Sequence, residues 1–302
     1  MKLAHLILAH NNPLQLERLV KRLASPRSDI YIHLDSKTDY ESFAFIAAIP
    51  QVRFINNRTD VRWGNYSMVE ATLRSFVEIL DTEKIYSHIN LLSGHDYLLK
   101  DISQIEDFFF DHAGKSFMHY YAIDREWPEG KIRLSKYNLG DWETPFKYLI
   151  QEILNRVMPA RRVPLKMVPY GFSQWITITP SAAQYVLYFL ATQPLVMHYF
   201  QYTWGVDEFI FQTILLNSPF KDKVVNNNHR YIVFEKGAVN PNVLTMADAP
   251  AMIASGKFFA RKFESQEYQE SQSTQTQQDL EPNPATKILD YLDQIAIAHK
   301  GA

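Results

Sequence analysis

The sequence predicts an α/β fold, a single open sheet with helices on both faces, and three observations point to it. Between residues 3 and 110, short apolar runs of strand length alternate with longer stretches of helical periodicity. The first run, Leu3–Ala9, is apolar throughout but for His5, as expected for a central parallel strand covered on both faces. Polar or turn-forming residues such as Asn11, Asn12 and Pro13 separate the runs. Layering helices on a sheet buries both kinds of element around one core.

In order, Leu3–Ala9 is the first strand, and Pro13 opens a helix through Leu14, Leu19, Val20 and Leu23. Ile30–Leu34 is a second strand ending on Asp35. Ligands of such a βαβ unit lie at the carboxyl ends of its strands, where His10 and Asp35 stand. Each is a plain loop residue or a nucleotide contact. Val52–Ile55 is a short strand, Asn56–Trp63 a polar loop ending in an aromatic, and Met68–Leu80 a helix. Tyr86–Leu92 is a strand leading into Ser93-Gly94-His95-Asp96-Tyr97, followed by a helix over Ile102–Phe110.

Periodicity fails from 119 to 147, which predicts an irregular segment. There Tyr120, Tyr121, Trp127, Tyr137 and Trp142 interleave with Asp124, Arg125, Glu126, Lys131, Arg133, Lys136, Asp141 and Glu143. Aromatic faces suit the C–H faces of sugar rings, and charged groups suit their hydroxyls; a solvated loop with a few core anchors gives the same pattern. Gln151–Met158 reads as a helix, Arg161-Arg162 as solvated, Gln174–Thr179 as a strand and Ala182–Ala191 as a helix. Lys223–Asn226 and Tyr231–Phe234 are short strands flanking His229-Arg230, and Thr245–Ala254 is a helix with Gly256 as its cap. One domain thus covers 1–263. Residues 264–284, rich in Gln, Ser, Thr and Glu, read as a polar linker. The rest, 285–302, reads as a C-terminal helix carrying Ile288, Leu289, Leu292, Ile295 and Ile297, which docks on the body or on a second copy in a homodimer.

Residues 204–218 hold the segment of most chemical interest. Phe209, Ile210, Phe211, Ile214, Leu215 and Leu216 cover nearly the whole circumference of a short helix, so it is expected to be buried. Asp207 is placed to cap it, Glu208 to occupy its first position, and Pro219 to stop it. A carboxylate at the mouth of an apolar helix is either a helix-dipole partner or a positioned base.

Composition removes several classes. Net charge is −2, which gives no global attraction to nucleic acid or anionic membrane. Cysteine is absent, so there are no disulfides, no thiolate catalysis and no cysteine-held zinc. Between Lys166 and Asp207 there is no Lys, Arg, Asp or Glu, yet Pro169, Gly171, Pro180 and Pro194 break the stretch. No window reaches the roughly 20 apolar residues of a membrane span, so a buried core segment is expected. The opening apolar run is too short for a signal peptide, and the expected setting is a bacterial cytoplasm or the periphery of the inner membrane. Neither glycine-rich phosphate loop, no Gly-x-Ser-x-Gly, no His-Glu-x-x-His and no Asp-x-Asp occurs. Cations for a phosphate must then be side chains, and Arg230, Arg261 and Lys262 are set in otherwise apolar surroundings.

Several short segments, in order, resemble the Core-2/I-branching enzymes, β-1,6-N-acetylglucosaminyltransferases with the peptide O-xylosyltransferases as relatives. They are Ala9-His10, Ile32-His33-Leu34-Asp35, Trp63-Gly64 with Ser67, Leu91-Leu92-Ser93-Gly94-His95-Asp96-Tyr97, Gly171-Phe172-Ser173-Gln174-Trp175, Asp207-Glu208-Phe209 and Phe259-Ala260-Arg261-Lys262-Phe263. The resemblance implies a GT-A-like mixed sheet and an inverting glycosyltransferase that needs no metal or other cofactor. It would move a sugar, N-acetylglucosamine before xylose, from a UDP-sugar to a glycan hydroxyl, as in polysaccharide biosynthesis. By that likeness Glu208 is the catalytic base, and Arg230, Arg261 and Lys262 hold the diphosphate. His10, Asp35, Val61, Arg62 and Trp63 stand on the nucleotide side. Asp96, Gln174 and Trp175 line the sugar pocket, while Lys131 and Arg133, with Trp127 and Trp142 of the aromatic segment, face the acceptor. The sequence departs from animal members in lacking their cysteines, anchor and stem, and Gln174 stands where xylosyltransferases carry an acid. Two other readings stay open: a carbohydrate-binding protein of this fold without turnover, and a retaining UDP-sugar transferase.

Overall fold

The computed structural model describes residues 1–235, 237–264 and 284–298. In chain order the elements are β1 (Lys2–Ala9), α1 (Pro13–Leu23), β2 (Ser28–Leu34), β3 (Val52–Phe54), α2 (Tyr66–Leu80), β4 (Tyr86–Ser93), β5 (Tyr97–Leu98), α3 (Ile102–Asp111), β6 (Ser116–Met118), β7 (Tyr120–Ala122), α4 (Ile123–Glu126), α5 (Pro128–Ser135), α6 (Lys147–Val157), β8 (Tyr170–Phe172), β9 (Thr177–Ile178), α7 (Pro180–Thr192), α8 (Pro194–Gln201), α9 (Ile210–Leu216), β10 (Val224–Asn226), β11 (Arg230–Ile232), α10 (Ala249–Ala254), β12 (Phe259–Arg261) and α11 (Pro284–Ala298). The expected α/β fold with an open mixed sheet is present. Seven strands run in the order β10-β6-β9-β4-β1-β2-β3, and two small sheets, β11-β12-β5 and β7-β8, add to it. Strands β1, β2 and β3 are parallel, whereas β9 is antiparallel to both β4 and β6.

The chain forms two compact units. One comprises Met1–Phe54, Leu91–Ala113 and His229–Ala302, the other Ile55–Asn90 and Gly114–Asn228. In the first, β1 pairs with β2 from Leu3↔Ser28 to Ala9↔Leu34, so the two carboxyl ends are level. The Asp35 amide then donates to Ala9 O at 2.9 Å. Helix α1 begins at Pro13, the Asn12 side chain accepts from Gln15 N, and Leu16, Leu19, Val20 and Leu23 are buried at helical spacing. Strand β12 lies parallel to β11 and antiparallel to β5, which pairs Ile232 with Arg261 and Ala260 with Tyr97.

Helix α11 docks on the body of its own chain. Ile288, Leu289 and Leu292 are at most 3% exposed, and burial of each contributes about 1.5–3 kcal/mol. On its polar side Asp293 accepts from Arg18 Nε at 3.0 Å, Arg18 Nη2 at 2.7 Å and Tyr97 Oη at 2.7 Å. Residues 265–283 of the expected linker lie outside the described residues. Among the described residues, no helix is long and apolar enough to cross a membrane.

In the second unit, α9 is buried at every position, as its all-round apolarity requires. Its start differs from expectation. Phe209, at φ −122° and ψ −40°, interrupts the helix and takes its N-cap position, so Val206–Glu208 forms a separate 3₁₀ turn that holds Asp207. Gly205 causes the break: its φ of +65° redirects the chain, and its amide donates to Gly64 O at 2.7 Å. The segment 119–147 is more ordered than its periodicity predicts. It holds β7, α4 and α5, and few apolar side chains mark them because only Ile123, Gly130 and Leu134 of the two helices are buried. Arg161, expected in solvent, is half-buried with its guanidinium on the carbonyls of Lys136, Tyr199 and Tyr202. The expected strand 174–179 shrinks to Thr177–Ile178, and α8, with Val196, Tyr199 and Phe200 inside, goes unanticipated because Pro194 reads as a breaker.

Candidate active site

In the second unit, side chains from α5, the turn 203–205 and the 3₁₀ turn converge on Glu208. Its Oε2 accepts from Arg133 Nη1 at 2.7 Å. Arg133 Nη2 is held by Glu129, one helical turn earlier on α5. The guanidinium lies over two indoles, 4.5 Å from the Trp204 ring centroid and 5.3 Å from that of Trp127. Trp127 in turn stacks on Phe209 at 5.1 Å, with 17° between the rings. Two glycines make this packing possible. A Cβ on Gly171 would fall 2.5 Å from Glu208 O and 2.6 Å from Phe209 Cδ1. One on Gly205 would fall 3.2 Å from Arg133 Nη1. Burial, and after it the charge of Asp207, pushes the Glu208 carboxyl up to about 8 against the opposing pull of Arg133. A cavity of about 210 Å³ adjoins Arg133 and Trp204, walled by Tyr137, Asn138, Gln151 and Asn155.

The other predicted residues of this unit are spread around that centre. Arg62 donates to Asp141 O at 3.1 Å and Glu143 Oε1 at 2.6 Å, tying the 61–63 loop to 141–143, while Val61 is half-buried. Trp63 is 58% exposed and meets Trp204 edge-on at 5.6 Å. Trp142, 39% exposed, meets Tyr202 edge-on at 6.2 Å. Lys131 is exposed and turned to Asp124 at 3.1 Å. Gln174 is half-buried and Trp175 buried, its amide donating to Ser173 Oγ at 3.3 Å.

In the first unit a cationic cluster forms around Asp96, which is 0% exposed. Its Oδ2 accepts from Ser93 N at 3.0 Å, and its Oδ1 lies 3.5 Å from Arg261 Nε. Arg230, also buried, donates from Nη2 to Leu91 O at 2.8 Å and lies over the Phe259 ring. Burial raises Asp96, against the pull of Arg261 and Arg230. Burial likewise lowers Arg230 to about 10, with Asp96 opposing. Lys262 pairs with Glu264 at 2.6 Å. Two arginines thus share one buried carboxylate, an excess of positive charge that suits a dianion. At the carboxyl ends of β1 and β2, Asp35 is buried and accepts from Lys37 N at 2.9 Å and Lys37 Nζ at 3.1 Å. His10 is exposed, its ring 5.7 Å from that of His95, and burial lowers the titration of the half-buried His95. Among the described residues, no three His, Asp or Glu side chains could jointly hold a metal ion.

Glu129, Trp204 and Gly205 shape the Glu208 centre, and sequence reasoning missed them. Glu129 and Arg133 stand at i and i+4, a signal only once α5 is known to be a helix. The Trp-Gly pair directly before Val206-Asp207-Glu208 was in plain view.

The family profile described as Core-2/I-Branching enzyme matches residues 3–258. Xylosyltransferase 2 of Rattus norvegicus is 26% identical over 297 residues, which cover 89% of this chain and 33% of that protein. The Drosophila melanogaster xylosyltransferase oxt is 23% identical over 83% of this chain and 30% of its own length. The chain therefore spans about a third of the length of these relatives. Among solved structures, the WbbM bifunctional glycosyltransferase aligns with a TM-score of 0.41 and 11% identity over 86% of this chain and 45% of that one. Mouse xyloside xylosyltransferase 1 aligns at 0.35 and 12% over 71% and 81%. With the profile running from the first strand to the edge of the last, the chain belongs to the Core-2/I-branching enzyme family.

Proposed function

We propose that the chain is a glycosyltransferase that moves a sugar from a UDP-sugar to a hydroxyl of a saccharide acceptor by one inverting displacement without a metal. The observation that carries this reading is the Glu208 carboxylate. It is fixed at 2.7 Å by Arg133, whose guanidinium lies over two indoles, and is shifted up to about 8, close to the pH at which a general base works best. Glu208 takes the acceptor proton as the hydroxyl oxygen bonds to the anomeric carbon, and the bond from that carbon to the UDP oxygen breaks. UDP leaves with the electron pair and needs no proton, so one carboxylate suffices. Attack from the face opposite the leaving group gives a β-linked product from an α-linked donor. Charge building on the diphosphate is met by Arg261 and Lys262, with Arg230 and Asp96 holding the cluster, and such preorganised cations do the work of an ion. His10, Asp35 and the Val61–Trp63 loop serve the nucleotide. Trp127, Trp142, Trp175, Gln174 and Lys131 serve the sugars.

The donor is N-acetylglucosamine or xylose. The names of the relatives weigh toward xylose, and Gln174 in place of an acid weighs against it. Thermal shift with UDP-N-acetylglucosamine and UDP-xylose in EDTA tests the reading, followed by transfer to simple saccharides and NMR of the product. Stabilisation by one donor and a β-linked product in EDTA are expected. Turnover restored only by Mn²⁺ defeats the metal-free mechanism, an α-linked product defeats inversion, and donor binding without transfer or hydrolysis leaves a binding protein.

A further inference from the structure

Helix α6 is amphipathic the wrong way round for a helix on a water-facing surface. Lys147, Gln151 and Asn155, spaced four apart, form its inner stripe. Lys147 Nζ donates to Gly140 O at 2.8 Å, Gln151 Oε1 accepts from Leu139 N at 2.8 Å, and Asn155 Oδ1 accepts from Tyr137 N at 2.7 Å. The opposite stripe, again spaced four apart, is apolar and open. Leu149, Ile153 and Val157 are 57%, 52% and 68% exposed. Phe146 and Tyr148 at the start, Met158 at the end, and Leu165 and Val168 in the chain that follows are exposed as well. No residue of α6 is buried, so tertiary packing of its apolar side does not explain the helix. The segment is nonetheless pinned at its far end, where Arg161 N donates to Ser135 O at 3.0 Å and the Arg161 side chain holds three carbonyls.

A contiguous apolar ridge of this kind marks a surface that something else covers, and charge selects the occupant. Arg156 beside the ridge and Arg162 and Lys166 beyond it are exposed and make no ion pair among the described residues. Glu152 is the sole carboxylate between residues 147 and 168. A second copy meeting this face across a two-fold axis would set the same cations against each other. An anionic surface neutralises them. We propose that α6 and the segment after it, 146–168, seat the protein on the interface of an anionic phospholipid bilayer. The apolar ridge enters the acyl boundary and Arg156, Arg162 and Lys166 lie among the headgroups. The near-neutral charge of the whole chain hides this local patch.

The test is co-sedimentation of the full chain with vesicles of phosphatidylcholine, alone or with phosphatidylglycerol. Three basic residues predict about 100-fold tighter partitioning on the anionic vesicles, weakened by salt. The triple variant Leu149→Ser, Ile153→Ser, Val157→Ser is expected to lose binding. The variant Arg156→Glu, Arg162→Glu, Lys166→Glu is expected to lose the anionic preference. These side chains point outward, so both variants are expected to keep the wild-type unfolding temperature, and a variant that does not fold is replaced by single Ser changes. No binding to anionic vesicles, or equal binding by the Ser variant, overturns the proposal. So does self-association in sedimentation velocity that the Ser variant abolishes without any vesicle binding, which would assign the face to a second copy.

Discussion

The pH dependence of transfer, read together with Glu208→Gln, tests the central chemistry most directly. The Glu208 carboxyl is pushed up to about 8 by burial and by Asp207, so below that pH most of the free enzyme holds its base protonated. A single ionisation then makes log kcat/KM climb by about one per pH unit, to a plateau above about pH 8. At pH 6, two units below, the rate is about 1% of the plateau. Glu208→Gln keeps size and shape and removes the base, so transfer falls about 10²–10⁴-fold and the acidic limb disappears, while UDP affinity stays. Asp207→Asn removes a like charge and moves the limb to lower pH. Arg133→Ala removes the opposing cation and moves it higher. Stability carries the same signature. The unfolded carboxyl ionises near 4.5 and the folded one near 8, so between those values the folded state holds more protons. The contribution of the protonated acid is full below about pH 4.5 and is lost as pH rises through about 8, a slope that Glu208→Gln removes. Initial rates at a range of pH, with denaturant titrations alongside, measure both. A profile flat from pH 6 to 9, or a Gln variant as fast as the parent, refutes the assignment.

Three further outcomes are expected. Arg261→Ala and Lys262→Ala weaken UDP binding far more than folding, and calorimetric titration with unchanged affinity would remove them from the diphosphate. Gly171→Ala pushes a methyl to within 2.5 Å of Glu208 O; overpacking costs about 1–3 kcal/mol, and transfer falls with it, so an unchanged denaturation midpoint and rate would show that the turn yields. Asp293→Ala strips Arg18 and Tyr97 of the carboxylate that holds α11, and loss of about 1.5–3 kcal/mol is expected in urea unfolding, against none if the helix is dispensable.

The layered α/β plan was legible in the chain itself because strand-length, largely apolar runs such as Leu3–Ala9, and the periodic helices between the strands, depend on local pattern alone. So were Glu208, Arg230, Arg261 and Lys262 as candidates, since charged groups beside apolar runs are visible along one dimension and the ordered segments around them resemble a known family. Their partners were not. Arg133 reaches Glu208 across 75 positions and Arg261 reaches Asp96 across 165, and no local rule relates residues that far apart. The break at Phe209 was hidden too, because the 206–208 turn is set by Gly205 meeting Gly64 rather than by the caps at hand. The direction in which α6 faces was equally undecided. Its pattern specifies a helix with one apolar side, and only the hydrogen bonds of Lys147, Gln151 and Asn155 to the backbone of 137–140 turn that side outward. Periodicity states which residues share a face, and the contacts of the folded chain state what that face meets.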